Sequence, residues 1–161
     1  MAESLAFSKT SDRRKIYEEL VPQIESLVAG ETDLVANLAN ITAILKEAFG
    51  FFWVGFYLKK EDQLVLNAFQ GTLACTRIDF DKGVCGHAYT TRETVIVPNV
   101  EEFPGHIACS SLSQSEIVIP VIRNEMVVAV LDVDSSALNE FDITDQYYLE
   151  QMVDLLDFSV E

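Results

Sequence analysis

The chain has 161 residues, 49% of them hydrophobic, and a formal net charge of −15. That length and apolar share suit one packed domain and exclude general disorder. Ten acidic residues and no Lys or Arg lie between Asn124 and Glu161, a field that repels phosphate backbones and anionic lipid and so argues against nucleic acid and membrane as partners.

Residues 1–10 read as a flexible lead. Met1 to Lys9 has neither a basic start nor an apolar run, so no export signal is expected and the expected location is cytoplasmic. Ser11 or Asp12 is placed to cap a first helix running to about Val28, with Pro22 expected to kink or break it. Gly30 ends that helix. Thr32 or Asp33 starts a second, whose apolar residues Leu34, Leu38, Ile41, Leu45 and Ala48 recur at helical spacing up to Gly50. The texture then becomes aromatic and β-branched: Phe51 to Leu58 and Gln63 to Phe69 predict two strands joined by the polar turn Lys59-Lys60-Glu61-Asp62.

A short extended piece is expected within Leu73 to Ile78, a short helix over Gly83 to Thr91 and a strand over Thr94 to Val97. Pro98 to Gln114 is a long irregular stretch, and loops of that length inside compact domains are usually functional. Ser115 to Ile122 and Met126 to Val133 predict a hairpin, and Asp142 to Phe158 a closing helix capped by Asp142 or Thr144. No repeat, linker or low-complexity tract interrupts the order, so the expected fold is α+β: one domain over 1–161, a central antiparallel sheet with helices around it.

Three cysteines carry the first hint of chemistry. Cys75, Cys85 and Cys109 lie outside the apolar periodic runs, two with neighbouring glycine and two with a neighbouring histidine. The count is odd and the chain is too large to need disulfide staples, so the thiols point to reactivity in a reducing compartment. Packing filler remains the alternative for any one of them. Cys85 sits where Gly83-Val84 should open a helix, a place that favours the thiolate. Cys109 follows Pro104-Gly105-His106 in the long loop, where a reactive group would be exposed. Zinc usually takes four ligands at spacings such as Cys-x-x-Cys; the cysteine gaps here are ten and twenty-four with two histidines, so neither metal nor other cofactor is expected.

Carboxylates form a second group. Asp132 and Asp134 share one face of the predicted final strand, Leu131 and Val133 the other. A three-residue loop around Asn124 would set Glu116 opposite Asp132, with all three acids on one face; a two-residue loop would send Glu116 to the opposite face. Crowded carboxylates raise one another's pKa, so such a cluster would keep a proton near neutrality. Single acids at strand ends are ordinarily solvated. Trp53, Gly55 and Tyr57 also alternate onto one face, with the glycine leaving space between two aromatics: either a pocket wall or plain core.

Trp53-Val-Gly-Phe-Tyr57, Phe69-Gln-Gly71, Ala74-Cys75-x-Arg77-Ile78, Gly83-Val-Cys85-Gly86, Phe103-Pro-Gly-His-Ile-Ala-Cys109, Ser115-Glu-Ile-Val118 and Leu131-Asp-Val-Asp-Ser135 together resemble the free methionine-(R)-sulfoxide reductases, stand-alone GAF-domain enzymes that act on the free amino acid. The resemblance implies a six-stranded antiparallel sheet flanked by helices. It implies that Cys109 attacks, that Cys75 is the main resolving thiol and that Cys85 forms or relays a second disulfide. Local acidity favours Cys85 as the attacker; the resemblance favours Cys109. Glu116, Asp132 and Asp134 match the family's pocket acids, and Trp53 and Tyr57 its wall around the substrate methyl group. Thioredoxin is the implied reductant, and a homodimer is left open. Many members have Asp directly after the attacking cysteine where this chain has Ser110, and Gly where it has Asp81. The alternative to an enzyme is a GAF module that binds a small molecule or senses redox state without turnover, but no effector domain or long coiled-coil helix accompanies this one.

Overall fold

The structure is a computed structural model in which residues 4–107 and 109–159 are described. Asp12 caps helix α1 (Arg13–Ala29) by accepting from the Lys15 amide, and Asp33 caps α2 (Leu34–Phe49) by accepting from that of Ala36. Of the kink or break expected at Pro22, the break does not occur, because α1 runs on through this residue. Pro22 lies on the exposed side, where water can satisfy the carbonyl that loses its amide partner. Strands β1 (Trp53–Lys60) and β2 (Gln63–Gln70) meet at a tighter turn than expected, because Lys59 and Lys60 continue the strand.

Next come β3 (Arg77–Asp79), α3 (Gly83–Thr91) and β4 (Val95–Val97). A single 3-10 turn at Val100–Glu102 opens the long connection to β5 (Ser115–Arg123). The chain ends with β6 (Met126–Ser135) and α4 (Ile143–Asp154), which stops before the expected Phe158. The six strands form one antiparallel sheet in the order β3-β2-β1-β6-β5-β4, and the architecture is α+β as expected.

Strand alternation divides the interior in two. Val54 and Phe56 of β1, Ile117 and Ile119 of β5, and Leu131 and Val133 of β6 point to one face, where they pack with Tyr17, Leu20, Leu38, Leu45, Leu149 and Met152 of α1, α2 and α4. Trp53, Tyr57, Val118 and Val130 point to the other, against Val84, Cys85 and Ala88 of α3. The parity of β6 sends Asp132 and Asp134 to this second face.

The β5–β6 hairpin differs from both registers considered for it. Its loop has two residues, Asn124 and Glu125, with Arg123 opposite Met126; both have positive φ (51° and 66°), as a type I′ turn requires. Two residues alone would have placed Glu116 on the wrong face. A β-bulge between Val121 and Ile122 takes up one extra residue of β6, and beyond it Glu116 pairs with Asp134 and Val118 with Asp132. The bulge restores the parity that the short turn removes.

Candidate active site

The second face carries a cleft of about 560 Å3 including its open mouth, lined by Trp53, Tyr57, Cys85, His106, Cys109, Ser113, Glu116, Asp132 and Asp134 among others. Of the eight site residues implied by the resemblance, seven line it and Cys75 is bonded to it, joined to Cys109 by a disulfide across 34 residues with a Cα–Cα separation of 5.6 Å. Cys109 is exposed and Cys75 half-buried, so the disulfide lies at the rim.

Two aromatic side chains hold the loop that carries Cys75. Trp53 Nε1 donates to the Thr72 carbonyl (3.0 Å), and the Tyr57 hydroxyl donates to the Cys75 carbonyl (2.8 Å). The rings stack with centroids 6.0 Å apart, and Trp53 also stacks on Phe69 at 5.4 Å. Gly55 does not leave an open gap between them. The Trp53 indole and Phe69 occupy its free side, where an added Cβ would approach Phe69 Cβ to 2.5 Å, so the glycine lets the indole lie flat on the strand.

Cys85 is fixed by close packing. At Gly86 an added Cβ would come within 2.8 Å of the Phe80 carbonyl oxygen, so the glycine allows α3 to press onto the segment following β3. Cys85 is thereby driven into the floor of the cleft and is 4% exposed. This reverses the expectation that it is the more acidic thiol. A helix N-terminus contributes roughly 1 kcal/mol toward an anion; complete burial can cost several pKa units. Burial first, then the charges of Asp132, Glu116 and Asp134, hold the Cys85 thiol well above its ordinary value. The Val84, Cys85, Ala88 spacing, one stripe of a helix, was the available sign that this cysteine faces inward.

Glu116 and Asp132 are buried and Asp134 is half-buried, rather than solvated at a strand end. Glu116 is 5% and Asp132 7% exposed. Burial, with the neighbouring Asp134 charge next, raises Glu116 to about 8. Burial and then Glu116 hold Asp132 well above the carboxylate range, and burial with Asp132 does the same for Asp134. Asp132 is within hydrogen-bonding reach of both Glu116 and the Cys85 thiol. Ser113 Oγ donates to Asp134 Oδ1 at 2.9 Å. His106 Nε2 lies 3.7 Å from Glu116 Oε2, but burial lowers the His106 pKa, which weakens it as a cation. Among the described residues no Lys or Arg forms an ion pair with any of the three acids. With Glu116 raised to about 8, the cluster keeps a proton near neutrality, and the cleft offers an acid to an incoming group beside a reducible sulfur pair.

Sequence reasoning missed Ser113 and the Glu116 contact of His106, since both depend on how the long loop folds back over β5 and β6. His87, by contrast, is exposed and edge-on to Phe103 at 5.6 Å, outside the cleft.

A family model for the GAF domain matches residues 31–161. GAF domain-containing protein A of Dictyostelium discoideum is 58% identical over 98% of this chain and 99% of its own length. The free methionine-R-sulfoxide reductase of Saccharomyces cerevisiae is 38% identical, over 98% of this chain and 93% of its own. Among solved structures, free methionine-R-sulfoxide reductase from Neisseria meningitidis in complex with its substrate is 56% identical, with a TM-score of 0.92 over 94% of this chain and 92% of that one.

Proposed function

We propose that this chain, which belongs to the GAF-domain family of free methionine-R-sulfoxide reductases, reduces free L-methionine (R)-sulfoxide to methionine with Cys109 as the attacking thiol. The observation that carries the reading is the Cys75–Cys109 disulfide at the rim of a cleft floored by Glu116, Asp132 and Asp134. Reduced to thiols, the cysteine pair supplies two electrons, and the acids supply the proton.

In the dithiol form the Cys109 thiolate attacks the sulfoxide sulfur while Glu116, or an Asp partner, protonates the departing oxygen. Methionine leaves and Cys109 becomes a sulfenic acid. The Cys75 thiol displaces its hydroxyl as water and closes the disulfide. An external dithiol then returns both cysteines to thiols and is itself oxidised; thioredoxin is the proposed donor, and a thiol-reducing cytoplasm the proposed setting. The chemistry needs no metal or organic cofactor. Trp53 and Tyr57 bound the substrate methyl group, and the acids with the cleft polar groups receive its sulfoxide and amino-acid ends.

Two features support Cys109 over Cys85 as the first nucleophile. Cys85 is buried among acids that oppose its ionisation, whereas Cys109 is exposed on a loop and bonded to Cys75. Cys85 then serves as an auxiliary thiol beside Asp132.

The test is NADPH consumption coupled through thioredoxin and its reductase, with each sulfoxide epimer free and peptide-bound. Turnover restricted to the free R epimer is expected. No turnover of it by fully reduced protein would overturn the proposal.

A further inference from the structure

Cys85 comes from α3, Glu116 from β5 and Asp132 from β6, with sequence gaps that suggest no ligand motif. The fold nevertheless brings their sulfur and carboxyl oxygens to within 4.8 Å of one another. All three line the cleft and all are more than nine-tenths buried. One carboxyl oxygen, Asp132 Oδ1, is buried with no hydrogen-bond partner. A buried acceptor left without a donor usually costs about 1–3 kcal/mol, so it is a standing demand for a proton or a cation.

We propose that Cys85, Glu116 and Asp132 form a binding site for a thiophilic divalent cation of the zinc class, and that an ion there closes the cleft. The donor set selects the class. A thiolate is a poor ligand for magnesium or calcium, and two carboxylates are poor ligands for copper(I); zinc and cadmium accept both donors. Donors around tetrahedral zinc, at about 2.0–2.3 Å from the metal, stand about 3.5 Å apart. Side-chain shifts of roughly 1 Å or less would therefore close this trio on an ion. Coordination positions left over face the cleft, open to water or an outside ligand.

Charge favours the ion once the thiol and the acids have released their protons. Three acids and a thiol share this floor with no bonded Lys or Arg among the described residues. Binding releases the thiol proton and any carboxyl protons to solvent, forms one metal–sulfur and at least two metal–oxygen bonds, and involves no oxidation. Affinity therefore rises with pH. The other groups facing the site are Asp134, Tyr57, His106 and, at the mouth, Lys82. Asp134 adds attraction and Lys82 opposes it.

Cys85 is the one cysteine outside the disulfide, which makes the test specific. In the disulfide form, Cd2+ alone is titrated and the ultraviolet charge-transfer band of a cadmium–thiolate bond is followed. The expected result is a band that saturates at one ion per chain, is lost in Cys85→Ser and needs about tenfold or more Cd2+ in Asp132→Asn and Glu116→Gln. Circular dichroism checks that each variant folds, and either carboxyl variant suffices for the decision if the other does not fold. No band in the folded wild type, or an unchanged Cd2+ dependence in the carboxyl variants, would overturn the site. The closure rests on the reductase reading. Turnover unaffected at saturating Cd2+ would overturn closure, while the spectral titration stands apart from any activity.

Discussion

The two faces of the sheet each bury carboxyl groups, and they treat them in opposite ways. On the helix-covered face Asp145 is fully buried, yet Arg13 reaches it at 2.6 Å, the Tyr17 hydroxyl donates to it at 2.7 Å and the Asp142 amide at 3.0 Å. Burial still pushes its pKa upward, but the Asp142 amide, Tyr17 and Arg13 pull it back. On the cleft face, among the described residues, Glu116, Asp132 and Asp134 have each other, a serine, a thiol and a weakly basic histidine, and no Lys or Arg ion pair. A buried carboxyl with a cation and donors ties α1 to α4. A set without them keeps protons and can give them away.

The difference is open to direct attack by substitution. The largest effect is expected from Cys109→Ser, which should abolish methionine formation, while Cys75→Ser should form one methionine per chain and then stall; both are read by single-turnover chromatography. Glu116→Gln should slow that turnover by about 10²–10⁴-fold, the usual share of a positioned proton donor, with little loss of thermal stability. On the other face Arg13→Met should do the converse. It leaves the Asp145 charge uncompensated and should cost about 3 kcal/mol in denaturant unfolding, while the rate per folded molecule stays near wild type.

Smaller effects sharpen the contrast. Glu116 rises from 4.5 to about 8 on folding, so between those values the folded chain binds a proton that the unfolded chain has released. Its contribution is then fully present below about 4.5 and is lost as pH rises toward 8, by up to about 5 kcal/mol at 1.36 kcal/mol per unit. The unfolding free energy of wild type should fall across that window more steeply than that of Glu116→Gln. The smallest change is expected from Tyr57→Phe, which deletes the hydrogen bond to the Cys75 carbonyl; disulfide closure should slow by about tenfold or less, as befits one bond worth about 1 kcal/mol.

Much of this was legible in the residues. Helix caps at Asp12, Asp33 and Asp142 are local chemistry, as is the glycine-opened helix from Gly83, and each was placed to within a residue or two. Pro22 misled because its tolerance depends on which side of α1 meets solvent. The hairpin misled in a subtler way. Turn length is local, but the bulge that returns Glu116 to the acid face is set by packing along two whole strands. Cys85 shows the same limit: position at a helix start argues for an acidic thiol, whereas burial, a property of the assembled fold, decides the opposite. That Arg13 matches Asp145 is likewise a contact across 132 residues that no spacing announces.

The protonated acid cluster is tested most directly by the pH profile of a single turnover. Fully reduced protein is mixed with free methionine (R)-sulfoxide, and formation of the Cys75–Cys109 disulfide is followed by quench and peptide mass. The wild-type rate should fall as pH rises through about 8, where Glu116 gives up its proton, and Glu116→Gln should be slow and lack that descending limb. A wild-type rate that climbs through pH 8 and levels off, with Glu116→Gln following the same curve, would contradict the role given to the cluster.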